Sequence, residues 1–458
     1  MSSETSETKS RPAGRLTVFQ GTAMYVGAVL GTGVIALPAL AAEAAGPASL
    51  LAWLALVVLS APLAATFAAL GARHPDAGGV STYARLAFGD RTAAVVGWCF
   101  YLAVPPGASA AALFGGAYVS AALGGGRTTT MVTAVMLMAV VTASNAVGVQ
   151  VTGRFQFALA GLLVALLLVA VALSLPHAST DNLRPFAPHG WAAIAPAAAL
   201  LVWSFAGWEA ITHLAGEFRS PGRDLPRATT AAVVIVGVLY LAVAFAVVAV
   251  LGPGAAHAEA PLGELMARGL GGNARMLAAV AALLLTLGAM NAYFAGAAKL
   301  GAALGRDGAL PAWLTRGSTV GEVPRRSLGV VSSLALLTLA IVTVTGLGAR
   351  PLVLLTTGSF VAVYAVGVAA SLRLLPKRGK ARTAAIAALV AVVIMLLMSG
   401  RYLLWPLAVT GAALLYLSLG GRRTDRATSD EATSDGVTQA VVAAPPIDSS
   451  SDPIERMS

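Results

Sequence analysis

Runs of 18 or more apolar residues recur along most of this chain, separated by short segments that hold Arg, Lys, Gly and Pro. Such a run is the signature of a membrane-crossing helix, because about 20 residues at about 1.5 Å rise each traverse the hydrocarbon core. The pattern predicts twelve spans, over residues 16–44, 48–72, 92–122, 128–149, 154–175, 191–216, 228–252, 274–303, 327–347, 350–374, 382–399 and 402–420. It divides the chain into a polar N-terminal tail (1–15), a transmembrane domain (16–420) and a C-terminal tail (421–458). The last is rich in Ser, Thr, Asp and Pro, has no continuous apolar face, and is expected to be disordered.

Composition agrees. Of 458 residues 57% are hydrophobic and 11% charged, whereas soluble domains carry about 25% charged residues. The net charge of +10 does not point to nucleic acid, since no basic stripe of groove-sized geometry is present. With both termini on one side of the membrane, that side receives 24 of the 30 Lys and Arg residues. Such a bias places both termini in the cytoplasm and favours an even number of spans. Arg outnumbers Lys 26 to 4, a composition expected of a high-GC bacterium. Cys99 is the single cysteine, so an intramolecular disulfide and a cysteine zinc cluster are excluded. The N-terminus lacks a short apolar stretch followed by an A-x-A cleavage site, and the first apolar run is expected to stay as a membrane helix.

Within the first span, "GAVLGTGVIALPAL" contains G-x-G-x-x-A at Gly31, Gly33 and Ala36. A dinucleotide fingerprint would need a preceding strand and an acidic residue about twenty positions on. Both flanks are apolar, and the sequence near position 55 is "LLAWLALVVLSAPL". Two readings remain: Gly27, Gly31 and Gly33 allow close helix packing, or together with Pro38 they unwind the helix at mid-span. Irregular backbone at that depth survives only where protein or a water-filled cavity satisfies it.

The sixth span, "LLVWSFAGWEAITHLAGEF", carries Gly207 and Glu209 at mid-helix. A carboxylate at the bilayer centre costs about 2.5–3.5 kcal/mol on insertion scales, so Glu209 is expected to have a partner or a role unless headgroups solvate it near the span's end. Spans one and six head two five-helix halves. Interrupted helices at corresponding positions point to a transporter site built from inverted repeats. A break exposes N–H groups that attract a carboxylate and C=O groups that accept from an ammonium, which together match the two ends of an α-amino acid. The Thr32 hydroxyl supplies a further donor.

These segments, with "RHPDAGGVSTYARLAFG" before span three and "WSFAGWEAITHLAGEFRSPGRDLPRA" through span six and its loop, resemble the amino acid–polyamine–organocation (APC) transporter superfamily. Within it they are similar to bacterial exporters of methionine and branched-chain amino acids. The resemblance implies an all-α integral membrane fold: a LeuT-like 5+5 inverted repeat plus two C-terminal helices, with helices 1 and 6 discontinuous. It implies a carboxylate cradle at Gly31, Thr32 and Gly33, and carbonyls from Val29, Trp203 and Ala206 facing the substrate amine. By the same resemblance Trp203 packs on the substrate as a gate, as in a related arginine–agmatine antiporter, and Glu209 serves pH response or coupling. Some proton-coupled relatives carry a lysine in span five; here Arg154 stands at its mouth and no Lys follows.

The substrate expected is a neutral amino acid with an aliphatic or thioether side chain, such as Leu, Ile, Val or Met. Few fixed counter-charges are available for an ionic one, and Ala206 leaves room for a medium-sized group. Sodium needs a cage of oxygens; span eight offers Thr286 and Asn291 but no Ser/Thr pair. A proton is therefore the expected coupling ion, with Glu209 as its carrier and Asn291 as a further coupling or gating candidate. No other cofactor is expected, and no metal. Export by alternating access is the leading expectation, with uptake, exchange or a non-transporting sensor as alternatives. A membrane enzyme is disfavoured, because the five histidines are scattered and form no catalytic constellation. "SPGRDLPRA" reads as a turn into span seven, and Pro105-Pro106-Gly107 as a kink in span three. The chain is expected to work among lipids as a monomer or homodimer.

Overall fold

The computed structural model describes residues 16–75, 79–148, 153–209, 215, 218–272, 274–316 and 323–419. The two tails, residues 76–78 of the HPDAGG motif and residues 210–214 and 216–217 of span six, His213 among them, lie outside the described residues. Among the described residues the regular elements are helices, with one isolated parallel bridge between Leu16 and Phe218.

Among the described residues, nine helical stretches are long and apolar enough to cross a membrane, and two shorter apolar helices, Val18–Leu30 and Trp191–Ser204, stand apart from them. The count differs from the twelve predicted runs for two physical reasons. Some neighbours join through a single tight turn: Gly33–Arg73 and Lys380–Leu419 each form one stretch, passing through 3-10 turns at Gly46–Ala48 and Gly400–Leu403. Elsewhere a predicted run is interrupted, and its pieces fall short of a full crossing.

In chain order the α-helices are α1 (Val18–Leu30), α2 (Gly33–Ala45), α3 (Ser49–Arg73), α4 (Val80–Phe88), α5 (Asp90–Leu123), α6 (Arg127–Val147) and α7 (Gly153–Ser174). They continue with α8 (Ile194–Leu201), α9 (Pro221–Leu251), α10 (Pro261–Leu270), α11 (Ala274–Arg306), α12 (Arg325–Thr345), α13 (Arg350–Leu374), α14 (Lys380–Ser399) and α15 (404–419). A capping box starts α1: the Gln20 N–H donates to Thr17 Oγ1 at 3.3 Å, and the Thr17 N–H donates to Gln20 Oε1 at 3.0 Å. Such caps are worth about 1 kcal/mol. Just before it, the Arg219 N–H donates to the Leu16 carbonyl at 3.2 Å, and the Phe218 ring occupies the space a side chain at Gly21 would need.

The centre of the scaffold is α5, which packs on α4, α6, α11, α12 and α13. Its 34 residues extend about 51 Å at the usual rise, so it crosses a bilayer of about 30 Å with tilt or overhang. Small residues set its packing: a β-carbon at Gly116 would collide with the Thr130 backbone of α6. Lipid-facing helices gain nothing by hiding Leu from lipid, so close backbone approach and van der Waals contact drive their association. The large exposed apolar side chains fit this setting; Val132, Val135, Met136 and Val140 line one outward face of α6.

The helix α5 runs unbroken through Pro105 and Pro106, and Gly107 lies beside the site described below. The "SPGRDLPRA" segment is helical rather than a turn: α9 starts at Pro221, and its N-terminal Ser220 amide donates to Asp224 Oδ2 at 3.2 Å. A proline in the first turn costs no hydrogen bond, because those N–H groups have no partner inside the helix.

Candidate functional site

The first interruption lies between α1 and α2, at Gly31 and Thr32. Gly31 has φ 35° and ψ −152°, a left-handed backbone that L side chains avoid. The space around it is ordinary, since an added β-carbon would meet Ala28 O at 3.7 Å. Its requirement for glycine is therefore conformational. Gly33 is glycine for the opposite reason. A β-carbon there would stand 2.5 Å from Ser204 Oγ and 3.0 Å from Trp203 Cδ1. Thr32 is buried, and its side chain makes no cap on α2. The first N–H groups of α2, on Gly33, Val34 and Ile35, have no partner within their own helix and present the positive end of its dipole.

The second interruption follows α8. The chain tightens into a 3-10 turn at Val202–Phe205, extends at Ala206 (φ −70°, ψ 135°), and turns again at Gly207 with φ 124°. Gly207 is constrained both ways: besides its positive φ, a β-carbon there would lie 3.1 Å from Ala28 O. So Gly207 rests on the last turn of α1, while Ser204 and Trp203 rest on the first residue of α2. The two interruptions face each other.

Two tyrosines and a glutamate bind them together. Tyr240 of α9 has its hydroxyl 2.7 Å from Val29 O, 2.7 Å from Ser204 O and 3.5 Å from Leu30 O. It thus spans carbonyls from both interrupted elements. Trp53 of α3 backs the Tyr240 ring at a centroid distance of 5.0 Å. On the other side of Gly207, Glu209 is 6% exposed. Its Oε2 accepts from the Gly207 N–H at 3.0 Å and from the Tyr364 hydroxyl of α13 at 2.6 Å. Tyr364 in turn accepts from the Gly207 N–H at 3.2 Å. A buried carboxylate is tolerable when charge-assisted hydrogen bonds surround it.

The indole of Trp203 forms part of one wall. It meets Phe114 of α5 edge-on, with centroids 6.5 Å apart. Its Cη2 would lie 3.4 Å from a β-carbon on Gly107, so glycine there makes room for the ring. Thr356 of α13 closes the same corner and donates to Ala103 O at 3.3 Å.

The structure therefore gathers Val29, Gly31, Thr32, Gly33, Trp203, Ala206 and Glu209 around one junction. The Val29 carbonyl is engaged by Tyr240, and the Trp203 carbonyl accepts from the Ala206 N–H at 3.2 Å. Asn291 belongs to a different contact. Its Oδ1 accepts from Ser144 Oγ at 2.9 Å and Asn145 Nδ2 at 2.8 Å, tying α11 to α6.

Tyr240, Tyr364 and Ser204 escape the sequence reading, as do Trp53, Phe114 and Thr356 around them. Ser204 Oγ is buried beside Gly33 without a hydrogen-bond partner among the described residues. A signal existed for the tyrosines. Each phenol sits alone in an apolar run, and a hydroxyl in a hydrocarbon span must find an acceptor. Among the described residues no group of three His, Cys, Asp or Glu is arranged to hold a metal ion.

Residues 16–419 match the family described as amino acid permease, which covers the whole helical domain. The chain belongs to that family. The permease is 32% identical over 406 residues to "Uncharacterized amino acid permease YecA" of Bacillus subtilis (strain 168), covering 89% of this chain and 96% of that protein. It is 29% identical over 417 residues to the "L-methionine/branched-chain amino acid exporter YjeH" of Escherichia coli (strain K12), covering 89% and 97%. A shorter similarity, 27% over 247 residues, relates half of the permease to the gamma-aminobutyric acid permease of Escherichia coli. The permease is thus a multi-pass membrane transporter and not an enzyme.

Proposed function

We propose that the permease carries neutral amino acids with aliphatic or thioether side chains across a bacterial inner membrane, as a proton-coupled exporter working by alternating access. The observation that carries this reading is the apposition of the two interrupted helices, Gly33 against Ser204 and Gly207 against Ala28. It supports a site in which the N-terminus of α2, with Thr32, receives the substrate carboxylate, and carbonyls around Val29, Trp203 and Ala206 receive its ammonium. Trp203 covers the bound molecule as a gate. Twelve spans in a 5+5 inverted repeat with two further helices, both termini cytoplasmic, are part of this proposal.

Glu209 is assigned the coupling proton. Protonation removes the charge that the Gly207 amide and Tyr364 hydroxyl solvate, and so loosens the turn that rests on α1. Similarity to an exporter of methionine and branched-chain amino acids supports both the substrate class and the direction. Similarity to the gamma-aminobutyric acid permease favours a second reading, uptake or exchange on the same fold.

The test is counterflow in proteoliposomes with radiolabelled amino acids, with and without sodium. Leucine and methionine should exchange, arginine should not, and sodium should make no difference. Indifference to every amino acid would refute the reading. An imposed pH gradient in each orientation separates export from uptake.

A further inference from the structure

Tyr240 engages the Val29 carbonyl, one of those that the proposed site offers to a substrate ammonium, together with the carbonyl of Ser204. Its single O–H has two short acceptors, Val29 O and Ser204 O, each at 2.7 Å. One hydrogen cannot serve both fully, and a carbonyl left unpaired in a buried site is costly. An ammonium carries three N–H donors and a charge, and satisfies two carbonyls at once with charge-assisted bonds. Displaced from both, the phenol O–H can turn toward the Leu30 carbonyl, 3.5 Å away. Nothing need move far: the ring is fully buried and backed by Trp53 at 5.0 Å.

We propose that Tyr240 competes with the substrate's amino group for the Val29 and Ser204 carbonyls, bridging the two interrupted helices when no amine does so and yielding those carbonyls when one is bound. The proposal rests on the transport reading above and deepens it by naming the residue that sets affinity at the amine end. It has a kinetic consequence. A carrier that returns without substrate needs a donor for those carbonyls, and Tyr240 supplies it. A carrier that only exchanges never needs one.

The test is Tyr240→Phe, which keeps the ring against Trp53 and removes the hydroxyl. In counterflow, where both half-cycles are loaded, KM for leucine should fall about 5- to 10-fold, the size of one lost competing hydrogen bond, with the maximal rate within about threefold of the parent. Net efflux into amino-acid-free buffer should drop at least about tenfold, because the return step lacks its donor. Should the Phe variant fail to fold, 3-fluorotyrosine at position 240 gives the opposite prediction. Its more acidic hydroxyl donates more strongly and should raise KM.

Equal changes in exchange and net flux, or a KM that rises or stays put in Tyr240→Phe, would overturn the proposal, as would a fluorotyrosine KM at or below the parent's. Absence of amino-acid counterflow in the parent protein would instead strike the transport reading, and this proposal with it.

Discussion

Tyr364 donates its hydroxyl to Glu209 Oε2 at 2.6 Å across 155 positions of sequence, and both groups also hold the Gly207 amide. A carboxylate buried at the turn of an interrupted helix is thereby joined to a helix from a distant part of the chain. The pair has a structural duty, holding the turn, and a proposed electrical one, carrying the proton.

Substitution separates these duties. Glu209→Gln keeps an acceptor for Tyr364 and removes the charge. Proton-driven flux should fall at least about tenfold while amino-acid exchange persists, as read in proteoliposomes with and without a pH gradient. Tyr364→Phe removes a hydrogen bond to a buried charged group, worth about 1.5–3 kcal/mol. It should lower the thermal midpoint by several degrees and reduce exchange and driven flux alike. Driven flux unchanged in Glu209→Gln would end the coupling role.

The glycines at the junction should respond in ways that reveal their different reasons. Gly31→Ala and Gly207→Ala force a β-carbon into a positive-φ backbone, at about 1–3 kcal/mol each. Gly33→Ala instead pushes against Ser204 Oγ. Adding Ser204→Ala should therefore restore part of the transport lost in Gly33→Ala and none of that lost in Gly31→Ala. Gly296→Ala in α11, where an added β-carbon meets nothing within 4 Å, should leave transport unchanged. Transport rates of the four glycine variants, with double-mutant cycles of Ser204→Ala against Gly33→Ala and Gly31→Ala, check these outcomes.

Tyr118 of α5 donates to Ile35 O of α2 at 2.6 Å and accepts from the Leu262 N–H of α10 at 3.2 Å. Tyr118→Phe leaves both backbone groups buried without that partner, at about 1–3 kcal/mol each. The expected result is a lower thermal midpoint and faster amide exchange over residues 261–270. Unchanged exchange there would show that α10 is held by its apolar face alone.

Glu264 on α10 lies outside the spans, and burial pushes its carboxyl above the ordinary value of 4.5, with Glu259 adding to the rise and Arg275 and Arg268 pulling the other way. The folded protein thus holds this proton more tightly than the unfolded chain does. Its stabilising contribution is full below the ordinary range and is lost as pH rises through the folded value. Glu264→Gln should flatten the decline of thermal stability as pH rises above 4.5. A decline as steep as the parent's would refute this.

The first interruption was half legible in "GAVLGTGVIALPAL", which left close packing and unwinding both open. Only the backbone angle at Gly31 and the crowding at Gly33 separate the two glycines, because composition does not distinguish a residue chosen for its dihedral from one chosen for its size. Glu209 was conspicuous because a carboxylate in an apolar run demands a partner. That the partner is Tyr364 depends on which helices lie side by side, and a single sequence does not encode that pairing. Tyr240 and Ser204 were missed for the same reason. Asn291 drew notice as a polar residue in span eight, yet its oxygen is taken up by α6, where amide side chains serve as glue between helices. The "SPGRDLPRA" segment misled through its prolines, which at a helix start are as much a beginning as a turn.

The parallel bridge between Leu16 and Phe218 sets a mechanical condition on all of this. It joins the chain just before α1 to the chain just before α9 through one backbone hydrogen bond. A motion that parts these two ends has to break the hydrogen bond from the Arg219 N–H to the Leu16 carbonyl, and one that keeps it carries both ends together.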